Sequence, residues 1–162
     1  MPAASVVVPK DRSPTWTRWP RPRPPTGSKA SPAGSTRGCV VAVHCGVDGT
    51  PSAALPWQPS HEAPGWWDRL ARRCFPGFRQ VRVSDWDDVI RAVAEPGPDT
   101  RGVIWVRREI GGHEITGHLL YAHNHQGQVV FLDGVTGSLG RLDTPVLLRE
   151  LVLLRALPGR FR

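Results

Sequence analysis

Apolar and polar positions along the chain fall into short blocks separated by turn-forming residues, and the clearest pair lies in GHLLYAHNHQGQVVFLDGVTG, residues 117–137. Leu119 to Ala122 and Gln128 to Leu132 are apolar runs, partly β-branched and aromatic, and Asn124-His125-Gln126-Gly127 between them is a turn-forming cluster. The pattern predicts a β-hairpin with strands over 115–123 and 128–133. A loop centred between His125 and Gln126 sets His118 opposite Asp133, Leu120 opposite Phe131 and Ala122 opposite Val129. Directly opposed Cβ atoms lie ~4.5–5.5 Å apart, so the Asp133 carboxylate could accept a hydrogen bond from the His118 ring and fix its tautomer. A slip of one residue would turn every side chain to the other face.

The remaining blocks give the other elements. Cys39-Val-Val-Ala-Val43 is a five-residue apolar run after Ser35-Thr36. It fits a helix capped by either hydroxyl or a buried strand, and periodicity does not choose between them. Residues 64–75 carry apolar positions at helical spacing between Pro64 and Pro76-Gly77, which predicts a helix. Alternation over 78–83 predicts a strand. Ser84 is placed to cap a second helix over 86–93, with Asp87 and Asp88 in its first turn and Pro96-Gly97-Pro98 beyond its end. A strand follows over 102–106, a charged Gly-containing loop over 107–114, then the hairpin, and finally a closing strand over 150–155. N-terminal helices followed by a small antiparallel sheet define the class as α+β.

Composition and charge narrow the function. A chain of 162 residues, 40% hydrophobic, suits one domain with a real core. Residues 1–37 hold eight prolines, and residues 1–38 carry +6 of the net +7. We therefore expect a disordered Pro/Arg-rich arm over 1–37 and a folded domain over 38–158. Two roles compete with a merely solvated arm: Arg21-Pro-Arg-Pro-Pro25 as a polyproline ligand, and weak electrostatic binding to nucleic acid or another anionic surface. The folded part is nearly neutral, which argues against a nucleic-acid-binding domain. No apolar run approaches the ~18 residues of a membrane helix, and no signal peptide is seen, so membrane association is not expected. Three cysteines, Cys39, Cys45 and Cys74, make no disulfide framework and fit a reducing compartment.

Candidate chemistry centres on Cys39, His118 and Asp133, in that chain order. A thiol near a helix N-terminus, a histidine to take its proton and a carboxylate to steady the imidazolium make a cysteine-nucleophile set. Competing sets carry less. His113, His118, His123 and His125 crowd one region, but no Cys or acidic residue stands at metal-ligand spacing, so no metal or cofactor is expected. Trp57, Trp66, Trp67, Trp86 and Trp105 read as core residues rather than a stacking platform.

Two motifs carry a family likeness. Gly117-His118 is followed by Gly127 and then by Val129-Val-Phe-Leu-Asp133-Gly134-x-Thr136-Gly137, and upstream stand Cys39-Val-Val-Ala42, Gly49 and Ala53-Ala-Leu55-Pro56. Over about residues 36–156 the chain resembles the papain-like toxin domains of bacterial polymorphic toxin systems, assigned as protein-glutamine deamidases. The resemblance implies a papain-like α+β fold and a protein substrate. It also implies a thiolate that attacks a glutamine carboxamide, releases ammonia and leaves a thioester for water to cleave. Delivery as an effector, with an immunity protein as neutralising partner, belongs to the same implication, while the lack of a recognisable signal keeps a cytoplasmic role open.

The chain departs from that pattern twice. Val135 stands where the family usually has Gln. Many members also carry Asn-Cys three residues ahead of the second Cys in a Cys-Val-Val-Ala segment. Aligned on Gly49, Cys39 is that second Cys and Thr36 holds the nucleophile position; with a short gap, Gly38-Cys39 matches Asn-Cys and Cys39 is the nucleophile. Three outcomes stay open: a glutamine deamidase using Cys39, His118 and Asp133, a thiol peptidase or acyltransferase with the same set, and a catalytically inactive papain-like binding module.

Overall fold

The computed structural model describes residues 36–50, 63–111, 113–140, 142 and 147–159. The expected arm therefore lies outside the described residues except for Thr36 and Arg37, which begin the first helix, and so do Trp57 and the 53–56 segment. Helix α1 spans Thr36–Val47, α2 spans Trp66–Cys74, strand β1 is Arg79–Val81 and helix α3 is Trp86–Ala94. Five strands follow: β2 (Arg101–Ile110), β3 (His113–His125), β4 (Gln128–Asp133), β5 (Ser138–Leu139) and β6 (Leu147–Ala156). They form one antiparallel sheet with β1, in the order β1-β6-β2-β3-β4-β5.

Burial decides the ambiguous first element. Cys39, Val40, Ala42 and Val43 are all buried, and positions 39, 40 and 43 follow the i, i+1, i+4 spacing of one helical face. Three valines in that run have modest helix propensity, so packing rather than propensity holds α1. Val40 and Val43 join Phe75, Phe78, Leu119, Tyr121 and Leu132 in one core, with Leu70 and Cys74 of α2 against it. On the other side of the sheet, Val89 and Val93 of α3 pack with Ile104, Val106, Leu120, Ala122, Phe131 and Leu153. Alternate residues of β2, β3, β4 and β6 thus serve opposite cores, the period-two arrangement of a sheet covered on both faces.

Four details differ from the sequence reading. The cap of α3 is Asp85, whose side chain accepts from the Asp88 N–H at 2.8 Å, while Asp88 reaches back to the N–H of Ser84 at 2.9 Å. The 107–114 segment is mostly strand, because β2 runs to Ile110 and β3 starts at His113. The hairpin loop is only Gln126-Gly127, both at positive φ (52° and 91°), as a two-residue type I′ turn requires. Asn124 belongs to β3: its buried amide donates to the Val93 and Ala94 carbonyls at 3.1 and 3.2 Å, tying the hairpin to α3.

The tight loop moves the register. Tyr121 pairs with Leu132, Ala122 with Phe131 and His125 with Gln128, an offset of two residues from the expected pairing. Because side chains alternate with period two, an offset of two keeps every residue on its expected face. His118 and Asp133 become diagonal neighbours instead of direct opposites, a separation long side chains still span.

The last turns of α1 are fixed by a polar chain that runs from the buried Tyr121 and His44 out to Asp48 and Arg101. His44 Nδ1 lies 2.9 Å from the Tyr121 hydroxyl, His44 Nε2 lies 3.3 Å from Asp48 Oδ2, and Asp48 is ion-paired with Arg101 of β2. Burial, reinforced by the Arg101 charge, lowers the His44 pKa from 6.5 to about 4. The unfolded chain therefore takes up this proton near pH 6.5 and the folded chain only near pH 4. Stability from this group is complete above pH 6.5 and falls as the pH drops towards 4, by roughly 3 kcal/mol at most. Urea unfolding between pH 7 and pH 4 should show that loss, and His44→Gln should flatten it; an unchanged slope in the variant would contradict the assignment.

Candidate active site

The site is assembled where the first half of α1 meets the end of β4. Gly134 follows the last residue of β4, and a Cβ on it would stand 2.5 Å from the carbonyl oxygen and 2.9 Å from the Cβ of Cys39. Only glycine lets the helix come this close. The contact brings Cys39 beside Asp133, and the hairpin brings Asp133 to His118.

His118 Nε2 lies 2.9 Å from Asp133 Oδ2, with 26% of the His118 side chain and 15% of the Asp133 side chain exposed. The second oxygen of Asp133 accepts the backbone N–H groups of Val135 and Thr136, at 2.9 and 3.4 Å. Burial alone would raise the Asp133 pKa. His118 and the two backbone donors outweigh it, and the carboxyl sits below its ordinary value. An ionised carboxylate can only accept, so Nε2 carries the hydrogen. In the neutral imidazole the lone pair is then on Nδ1, the atom left to receive a proton.

Val135 is an exposed residue, and what position 135 gives Asp133 is a backbone N–H, which any residue but proline supplies. That contribution was invisible in the sequence.

Cys39 is the fourth residue of α1, with 5% of its surface exposed. The thiol pKa is raised, first by burial and then by the charge of Asp133. The lowering expected from a helix N-terminus is not what the site produces, since the dipole fades within the first turn and desolvation opposes the thiolate. Among the described residues no hydrogen bond joins Cys39 to His118. The structure therefore unites His118 with Asp133 and places Cys39 next to Asp133, with the thiol neutral. Thr36, the first residue of α1, lies one helical turn ahead of Cys39.

The other candidates lie elsewhere. Cys45 and Cys74 are partly buried free thiols near the far half of α1 and on α2. His123 bonds Asp99 at 3.3 Å and packs against the His125 ring, and among the described residues no group of three His, Cys, Asp or Glu could hold a metal ion. Trp67 and Trp105 pack against the α1-side core and Trp86 against the α3-side core, while the Trp66 ring packs edge-on against Trp67 and Trp105.

An antiparallel sheet that presents a His–Asp pair beside a cysteine-bearing helix defines a papain-like α+β domain. The family model for papain fold toxin 1, glutamine deamidase, matches residues 36–138, and the chain belongs to that family. The match takes in α1, the Gly-His segment and the end of β4, so the whole site lies inside it. No curated protein and no solved structure matches the chain. No helix among the described residues is long and apolar enough to cross a membrane.

Gly134 is the testable joint of the site. Gly134→Ala should destabilise the domain by about 1–3 kcal/mol, the usual cost of overpacking, and should raise the rate at which Cys39 is alkylated as α1 lifts from β4. A variant with native stability and native labelling would contradict the close contact.

Proposed function

We propose that this chain hydrolyses the side-chain amide of glutamine in a protein substrate, with Cys39 as nucleophile, His118 as general base and then acid, and Asp133 as the residue that orients His118. The single observation that carries the reading is the 2.9 Å His118–Asp133 bond, in a chain whose family is named for glutamine deamidation.

The chemistry follows from the protonation states. A buried neutral thiol is a weak nucleophile, so its proton must leave as the sulfur attacks, and His118 Nδ1 is the acceptor. The S–C bond forms at the carboxamide carbon, the imidazolium returns its proton to the amide nitrogen, and the C–N bond breaks to release ammonia. Water, deprotonated by the same ring, then cleaves the thioester to glutamate and regenerates the thiol. Asp133, held ionised, stabilises the imidazolium in both halves. No cofactor enters this scheme. Membership of a toxin family supports action as a delivered or cytoplasmic effector, with an immunity protein as the partner that would block it.

One observation favours a second reading. Cys39 is 95% covered and has no hydrogen bond to His118 among the described residues, as expected of a domain that keeps the fold and the cleft but binds rather than hydrolyses. Ammonia release from casein and from total bacterial protein, with Gln-to-Glu conversion read by mass spectrometry, separates the two. The hydrolase reading predicts release by the native chain and at least a ~100-fold loss in His118→Ala and in Cys39→Ala. Activity unchanged in Cys39→Ala would remove Cys39 as nucleophile, and no conversion of either probe would favour the binding module.

A further inference from the structure

We propose that Trp105 is a positioning residue that fixes the aim of His118 by holding a β-bulge in β3 in place; as a statement about catalysis this rests on the role proposed for His118 above. The bulge is read from the pairing. Val106 pairs with His118 but Arg108 pairs with Ile115, so residues 116 and 117 of β3 together oppose Arg107 alone. On the other side of β2 the same level is irregular again, since Arg107 pairs with Glu150 and Arg108 with Leu148. β3 therefore carries its extra residue opposite Arg107, immediately before His118, and β6 carries one between the partners of Arg107 and Arg108.

The location of such a bulge decides which face His118 occupies. Beyond it, His118 to His123 pair continuously with Val106 to Arg101, and from Tyr121 onwards β3 pairs with β4. His118 belongs to this regular block and so shares the phase of Asp133. Were the extra residue absorbed one position later, His118 would fall on the other side of the irregularity and its side chain would turn to the opposite face. The 2.9 Å bond to Asp133 would be lost with it.

Trp105 blocks that shift. Its indole occupies the volume that a side chain at Gly117 would fill: a Cβ built there would overlap the outer edge of its six-membered ring. The ring is itself held. Indole Nε1–H donates to Glu150 Oε2 at 3.2 Å, the Arg107 guanidinium donates to the same oxygen at 3.3 Å, and the Trp66 ring of α2 packs edge-on at 4.7 Å between centroids. Glycine is accordingly the residue this arrangement requires immediately before His118. The irregular backbone then stays at 116–117, and the next residue is delivered to Asp133.

The test reads the imidazole directly and needs no substrate. Side-chain nitrogen NMR of the full chain at pH 8 should show His118 with a protonated Nε2 and an unprotonated Nδ1, two well-separated signals that merge towards the average of a solvated ring in Asp133→Asn. Trp105→Ala is expected to shift the His118 signals to those of Asp133→Asn while leaving His125 unchanged, and Trp105→Phe, which keeps a ring over Gly117, is expected to retain the native pattern. A folded Trp105→Ala chain with native His118 signals would overturn the proposal. Should that variant fail to fold, Gly117→Ala decides: loss of the separated signals supports the role, and their retention overturns it. A chain whose His118 signals respond as expected but which never releases ammonia would sink the hydrolase reading and leave the positioning role standing.

Discussion

The close approach of Gly134 to Cys39 is the constraint on which the rest of the site depends. One missing side chain lets a helix lie against a strand end, and the backbone there, rather than any side-chain pair, sets the distance between the thiol and the carboxylate. Asp133 can then serve four neighbours. It takes the His118 ring on one oxygen, two backbone N–H groups on the other, and its charge opposes ionisation of Cys39. Under the proposed roles, burial and this same carboxylate both oppose ionisation of Cys39, so proton transfer to His118 would accompany attack rather than precede it as a standing thiolate.

The sheet supplies the rigidity for that arrangement. Covered on one face by α1 and α2 and on the other by α3, it leaves its inner strands no freedom to slide without exposing one core or the other. A two-residue type I′ turn pins one end of the hairpin, and the bulge under Trp105 pins the other. Between them lie His118 and the residues that pair with β2 and β4. The polar chain from Tyr121 through His44 and Asp48 to Arg101 fixes the far end of α1, so the helix is tethered at both ends to the strands it must face.

Much of this was legible in the sequence because its signals are periodic. The apolar runs of β3 and β4 and the polar residues between them gave the hairpin, and the pairing of His118 with Asp133 survived a register error because that error was an even number of residues. The α+β class followed from the order of the elements, helices before strands, and the family likeness from the Gly-His and Asp-Gly motifs, which the family match covers. Asn124 misled: it has turn chemistry, yet it is buried and bonded to α3, a tertiary use that no local pattern reports. Cys39 could be placed on a helix or a strand by its neighbours alone, and its raised thiol pKa comes from burial and from a charge 94 positions later in the chain. Trp105 read as a core residue, and its link to Gly117 depends on a ring lying along the strand rather than on spacing.

The most direct test is to offer the chain a peptide whose glutamine carboxamide is replaced by a diazomethyl ketone, whose protonated diazo carbon alkylates a thiol aimed at the neighbouring carbonyl and loses dinitrogen, and to locate the adduct by mass spectrometry. A nucleophilic Cys39 activated by His118 should give a single adduct on Cys39 that disappears in His118→Ala, with Cys45 and Cys74 unmodified. An unmodified chain, or an adduct distributed over Cys45 and Cys74 and indifferent to His118, would contradict it.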